Sequence, residues 1–264
     1  MEYVVAIPSY RRPQICKEQT LAVLERLKVS KDKITVFVAN EEEEAIYRSV
    51  IGDEYKIVVG VRGISSQRKF IHNYYPVGTR IISSDDDMAE LYELGDGELI
   101  PTKMTLDEIA ELGFKYAEQE GAKLWGINPV ANGFFMKDVV TVGLRYICGN
   151  FYGNYAGDPA ITGADRTYAE SSGDDYETTL RSFIQNGSVV RFEFICPKTK
   201  YFAAGGIDAE LKTRGIADRQ IDHADKLKNI VSRYPELASI TTKAGGVTNI
   251  RLKSITYKRL KRGQ

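Results

Sequence analysis

The stretch Arg80-Ile81-Ile82-Ser83-Ser84-Asp85-Asp86-Asp87 runs an apolar, strand-like segment straight into three consecutive carboxylates. In an open α/β sheet the ligand crevice lies outside the carboxyl ends of the strands, so acids at such an end mark a site. While the backbone stays extended, Asp85 and Asp87 stand at i and i+2 and project to the same side. Two converging carboxylates suit a hard divalent cation, which keeps water ligands and completes its shell from substrate phosphates. The bland alternative is a solvated acidic turn, and the apolar run before the acids weighs against it.

Upstream, apolar runs alternate with helical patterns, the rhythm of βαβ units and a mainly parallel sheet flanked by helices. The pattern predicts strands over 3–7, 34–39 and 56–59 and helices over 18–27, 41–50 and 65–74, the last capped by serine. Their ends bring Ser9, Tyr10 and Arg11, then Asn40 and Glu41, then Arg62, Gln67 and Arg68, to the edge that holds the three aspartates. Pro8 through Arg11 supply a rigid turn with a hydroxyl, a ring and a cation, suited to a base and ribose. Arg62 and Arg68 can neutralise a diphosphate, with Gln67 and Lys69 equally placed by sequence.

Downstream the pattern predicts a helix over 105–120, a strand over 123–127 and hairpin-like segments through 134–155. A long loop over 157–173, a helix over 175–185, a strand over 189–195 and a helix over 218–234 follow. Asp174 and Asp175 stand between that loop and its helix. A carboxylate there is ordinarily an N-cap, but beside a cleft it can serve as a general base. With no repeat or linker, a catalytic domain over 1–205 with a helical, basic extension over 206–264 packed on it is expected.

The chain has 264 residues, 43% of them hydrophobic, enough for a sizeable α/β core. Cys16, Cys148 and Cys196 form no CxxC or Cys/His cluster, which argues against a disulfide framework and a zinc site. No segment has the length of a leader or a membrane span, so a soluble, cytoplasmic protein without a membrane partner is expected. The 36 basic and 36 acidic residues balance, without the global positive field of many nucleic-acid binders. The last fourteen residues nevertheless carry six cations and no acid, Lys258, Arg259, Lys261 and Arg262 among them. This is either a solvated end or a polyanion contact.

Taken together, VVAIPSYRR (4–12), RGISSQRKFI (62–71), SSDDDM (83–88) and GDDYETTLRSFIQNGSVVRF (173–192) resemble GT-A fold glycosyltransferases that use nucleotide-diphosphate sugars. More narrowly, they resemble the TET/JBP-associated glycosyltransferases, a group that includes base J glucosyltransferase and phage enzymes decorating hydroxymethylated bases in DNA. The resemblance spans roughly residues 4–195. It implies an α/β GT-A (Rossmann-like) fold and a UDP-sugar donor. Pro8, Ser9, Tyr10, Arg11, Arg62 and Gln67 would line the nucleotide-sugar pocket and Arg68 would approach the diphosphate. Asp85 would face the ribose or the metal, Asp87 would hold Mn²⁺ or Mg²⁺, and Asp86 would belong to the same pocket, although the triplet departs from a simple DxD. Asp175 would be the base of an inverting displacement, with Asp174 as second choice. Many GT-A enzymes add a histidine to the metal shell, for which His223 is the candidate here.

The narrower resemblance implies DNA carrying 5-hydroxymethylcytosine or 5-hydroxymethyluracil as acceptor, and a host cytoplasm if the chain is phage-encoded. Lys258, Arg259, Lys261 and Arg262 would meet DNA phosphates, and the Tyr/Asn-rich stretch 150–155 would stack on an extruded base. A GT-A enzyme with another acceptor, a metal-dependent nuclease or nucleotidyltransferase, and a non-catalytic DNA-binding module on a degenerate transferase fold are the alternatives.

Overall fold

The computed structural model describes residues 1–166, 173–199, 216–242 and 248–262. The chain opens with β1 (Val4–Pro8) and a helical run α1 made of Pro13–Cys16, a π-helical turn Lys17–Leu21 and Ala22–Arg26. It continues through β2 (Ile34–Val38), α2 (Glu41–Ile51), β3 (Lys56–Val59), α3 (Ile64–Tyr74) and β4 (Arg80–Ser84). A hairpin of β5 (Met88–Gly95) and β6 (Glu98–Pro101) precedes α4 (Leu106–Gln119), β7 (Trp125–Ile127), β8 (Val139–Leu144) and β9 (Phe151–Tyr155). Then come α5 (Pro159–Thr162), α6 (Asp174–Asn186), β10 (Val189–Phe192) and β11 (Ile195–Thr199). The chain ends with α7 (Ile216–Arg233), β12 (Ala238–Thr242), β13 (Thr248–Leu252) and β14 (Ile255–Lys261).

Nine strands form the central sheet in the order β14-β8-β10-β7-β9-β4-β1-β2-β3. β4, β1, β2 and β3 are parallel neighbours, so their carboxyl ends share one edge, as the βαβ rhythm requires. β8 and β9 run against the rest. Every residue of β2, Ile-Thr-Val-Phe-Val, is buried, as expected of a strand covered on both faces. Local signals set the helix starts: Pro13 at the first position of α1, Asn40 accepting from the Glu43 amide at α2, and a reciprocal Thr105–Glu108 capping box at α4. Trp125 anchors the core between two glycines. A Cβ at Gly113 or Gly153 would come within 2.3 or 2.1 Å of its indole, so both positions exclude a side chain.

Several expectations need correction. α3 is capped by Gly63, whose φ of 93° favours glycine, and by no serine side chain. The acidic triplet turns between β4 and β5, so strand alternation does not align Asp85 with Asp87. The segments within 134–155 are not a hairpin, because β8 lies between β14 and β10 while β9 lies between β7 and β4. Within 150–155, Phe151, Tyr152 and Asn154 are buried inside the central sheet and cannot stack on an extruded base. The 189–195 run breaks after Phe192, β11 joining β5 and β6 in a separate three-stranded sheet. The basic C-terminus is no loose end: β14 pairs with β8 and closes one side of the nine-stranded sheet. Part of the expected loop is helical, as α5, whereas residues 167–172 of it lie outside the described residues, as do 206–215 of the expected extension. Among the described residues no helix is long and apolar enough to cross a membrane, and Cys16, Cys148 and Cys196 are free thiols.

Candidate active site

A cleft of about 240 Å³ opens at the carboxyl edge of β1 to β4, lined from β1 by Pro8, Ser9, Tyr10 and Arg12, and from the other side by Arg68, the three aspartates 85–87, Asp174 and Asp175. Its first wall is set by the turn after β1. Arg11 takes a φ of 56°, with its amide donating to Glu43 Oε2 at 2.8 Å. Arg11 and Arg62 stand over the Tyr10 ring, at 5.1 and 5.7 Å from its centroid, and neither lines the cleft. The next residue does: Arg12 Nη1 donates to Asp86 Oδ1 at 3.4 Å and to Asp87 Oδ2 at 3.2 Å. Ser9 donates to the other Asp86 oxygen.

Arg68 forms the opposite wall. One guanidinium nitrogen bonds Asp174 Oδ2 at 2.7 Å and Asp175 Oδ1 at 2.8 Å, and the other bonds the Gly149 carbonyl at 3.0 Å and Asp85 Oδ1 at 3.4 Å. The backbone can approach this closely because residue 149 is glycine: a Cβ there would lie 2.2 Å from Arg68 Nη2 and 2.5 Å from Asp175 Oδ1. Lys69 is exposed and outside the cleft, so geometry separates it from Arg68. Gln67 lines the cleft, but its side chain fixes the strand ends, accepting from the Val61 amide at 2.8 Å and donating to the Val38 carbonyl at 3.0 Å.

Asp174 and Asp175 open α6 behind Gly173, which occupies the cap in a left-handed conformation. Asp174 is buried and bonded on both oxygens, by Arg68 and by Arg166. Burial opposes its charge, yet the two guanidiniums outweigh it and hold the carboxyl below the ordinary aspartate value. Asp175 keeps 25% side-chain exposure; Arg68 meets its Oδ1 and the Tyr146 hydroxyl donates to its Oδ2 at 3.0 Å.

Five carboxylates therefore face the cleft against two guanidiniums. Burial pushes Asp86 up to about 6 despite Ser9 and Arg12. Asp87, and Asp85 with 35% side-chain exposure, move in the same direction, also chiefly by desolvation. Five carboxylates against two guanidiniums leave the cleft short of positive charge, and a divalent cation fits that deficit. Among the described residues no three His, Cys, Asp or Glu side chains converge as a ready-made metal shell. Asp87 and Asp85 would thus hold such an ion from one side, leaving its other positions to diphosphate oxygens and water, the habit of Mg²⁺. His223 lies on α7 and does not line the cleft.

Solved structures share this architecture. Glucosyl-3-phosphoglycerate synthase from Mycobacterium tuberculosis, in complex with Mn²⁺, UDP-glucose and phosphoglyceric acid, superposes with a TM-score of 0.53 at 12% identity, covering 98% of this chain and 89% of that one. The chain has the GT-A fold. The same synthase with Mg²⁺ and UDP gives a TM-score of 0.53 at 11% identity over 98% and 90% of the two chains, and another structure, described as a mycobacterial protein, gives 0.53 at 10% over 98% and 86%. No protein-family model and no curated protein matches the sequence. Within this fold, sequence reasoning missed Arg12, Gly149, Arg166 and Tyr146. The first was masked by its neighbour Arg11, since only the backbone turn decides which arginine faces inward.

Proposed function

We propose that the chain is a glycosyltransferase that moves a sugar from a UDP-sugar, with Mn²⁺ or Mg²⁺ bound at Asp87 and Asp85, to an acceptor hydroxyl, with Asp175 as base. The observation that carries this reading is the acid excess of the cleft at the strand ends. An anionic nucleotide diphosphate is repelled there without a divalent cation and drawn in with one. The GT-A fold, seen in proteins solved with UDP-glucose and Mn²⁺, supports the same reading, although fold alone does not assign chemistry.

When bound, the metal offsets the negative charge that develops on the departing diphosphate. The residues do the rest. Pro8, Ser9 and Tyr10 border the nucleotide, and Arg12 keeps Asp86 and Asp87 in place. Asp175, partly exposed and held from both sides by Arg68 and Tyr146, takes the proton of the acceptor hydroxyl. The hydroxyl oxygen then bonds to the anomeric carbon as the carbon–oxygen bond to the diphosphate breaks, and a single such displacement inverts the centre. Asp174, buried with a guanidinium on each oxygen, is less suited to this task. Arg68, engaged by three carboxylates, acts as the clamp that keeps Asp175 aimed, a different task from reaching the diphosphate.

For the acceptor, the resemblance of the cleft motifs to the TET/JBP-associated enzymes supports DNA bearing 5-hydroxymethylcytosine or 5-hydroxymethyluracil. Of the basic residues on and after β14, Lys258 and Arg262 pair with Glu120 and Glu93, at 2.7 and 2.6 Å, while Arg259 is exposed. Incubation of the protein with Mn²⁺, a mixture of UDP-sugars and DNA containing either base, followed by nucleoside mass spectrometry, tests the proposal. A hexose or pentose mass on one modified base is expected. UDP release without a nucleoside mass gain would retain the transferase and reject these bases as acceptors.

A further inference from the structure

A second cavity, of about 230 Å³, is lined among others by Arg145, Tyr146, Tyr176, Arg191 and Lys253. Among the described residues its wall carries three cations and no carboxylate, the reverse of the acid-rich cleft. Arg191 is matched by Glu193 at 2.9 Å, and Lys253 lies 3.8 Å from an exposed Glu236. Arg145 has no ion-pair partner among the described residues. Its terminal nitrogens donate to the hydroxyls of Ser254 and Thr256, and its Nε is buried without a hydrogen bond. Burial first, then the nearby Arg191, act against its charge, and Glu193, already paired with Arg191, offsets them only in part. A partly buried cation that only shares a neighbour's counter-charge is costly to hold, and a bound anion relieves that cost.

The cavity is also linked to the acid-rich cleft through Tyr146. The rings of Tyr146 and Tyr176 stack with centroids 4.4 Å apart. Both line the cationic cavity, and the Tyr146 hydroxyl donates to Asp175 Oδ2 at 3.0 Å. Asp175 in turn lines the acid-rich cleft. The tyrosine pair therefore connects a cavity built for an anion to the carboxylate read as the base.

We propose that this second cavity is the acceptor subsite, and that it takes the phosphate of a phosphate-bearing acceptor whose hydroxyl is thereby set against Asp175; this rests on the transferase reading. Arg145 and Lys253 meet the phosphate oxygens by charge-assisted hydrogen bonds, and the tyrosine rings pack against the neighbouring part of the acceptor. The shared chemistry is a phosphate ester, supplied either by a nucleic-acid backbone or by a small phosphorylated acceptor.

The test uses the full chain, its Arg145→Gln variant and its Lys253→Ala variant. The Lys253 side chain is 59% exposed, so its removal leaves the fold intact. Inorganic phosphate and a fluorescent single-stranded oligonucleotide are titrated without divalent cation, a condition under which the acid-rich cleft repels both, and UDP is titrated separately with Mn²⁺. Each substitution is expected to weaken phosphate binding, by about tenfold for Arg145→Gln, with UDP affinity unchanged. An oligonucleotide that binds far more tightly than phosphate, competes with it and falls steeply with salt assigns the nucleic-acid source. Phosphate uptake that the oligonucleotide does not displace assigns the small acceptor. No phosphate binding by the wild type, or equal binding by all three proteins, overturns the subsite while UDP binding stands. Absence of UDP binding in Mn²⁺ overturns the transferase reading and the acceptor role with it, even if Arg145-dependent phosphate binding persists.

Discussion

Asp174 and Asp175 are adjacent in the chain and opposite in situation. Both line the cleft, but the first is 4% exposed with both oxygens bonded to guanidiniums, and the side chain of the second keeps 25% exposure. Asp175→Asn should therefore keep the fold and UDP binding but lower turnover by about 10²- to 10⁴-fold, the range of a lost general base. Near-normal turnover would remove the base role from this residue. Asp174→Asn should instead show itself in stability, costing on the order of 3 kcal/mol because Arg68 and Arg166 lose a buried partner, read as a lowered midpoint in chemical denaturation. Gly149→Ala should displace the Arg68 guanidinium, reducing turnover with little change in melting temperature; a lost fold would show that the close approach is structural instead. At this scale the strand-end rule pointed to Asp85 and Asp87, and the resemblance to Asp175, all three of which line the cleft. It could not find Arg12 or Gly149, because their roles depend on a left-handed Arg11 and on a backbone approach with no side chain to mark it.

Among the elements, β1 to β4 and their helices were legible because each strand is a compact apolar run followed by a helical period. The β5–β6 hairpin was not, although Asp96-Gly97, both at positive φ, is a favoured two-residue hairpin turn. The acids before it dominated the reading. β8, β9 and β10 were legible as strands, but their partners are set by packing around Trp125 and not by local pattern. Gly153→Ala places a methyl against that rigid indole and should cost about 1–3 kcal/mol, measurable by denaturant titration; an unchanged midpoint would mean that the tryptophan is not wedged. Within α3, His72 is buried, with Nδ1 on the Tyr155 carbonyl at 3.2 Å and Nε2 without a partner. Burial lowers it from 6.5 to about 4. The folded state thus binds this proton less tightly than the unfolded chain. Its contribution is complete above pH 6.5 and is lost as pH falls toward 4, at up to about 1.4 kcal/mol per pH unit. His72→Asn should flatten that part of the stability profile relative to wild type, and an identical slope would contradict the assignment.

Across the whole molecule, charge is sorted although the formal net charge is zero. Acids gather where the strands of the first half end, and Arg145, Arg191 and Lys253 gather beyond the Tyr146–Tyr176 pair. Composition alone hid this arrangement, since the two sets cancel in any sum. The central claim is that the acid-rich cleft binds a nucleotide diphosphate through a divalent cation. Calorimetric titration of UDP into the wild type and Asp87→Ala, each with and without Mn²⁺, tests it most directly. The account predicts binding by the wild type only with Mn²⁺ and its loss in Asp87→Ala; equal UDP affinity in all four titrations would contradict it.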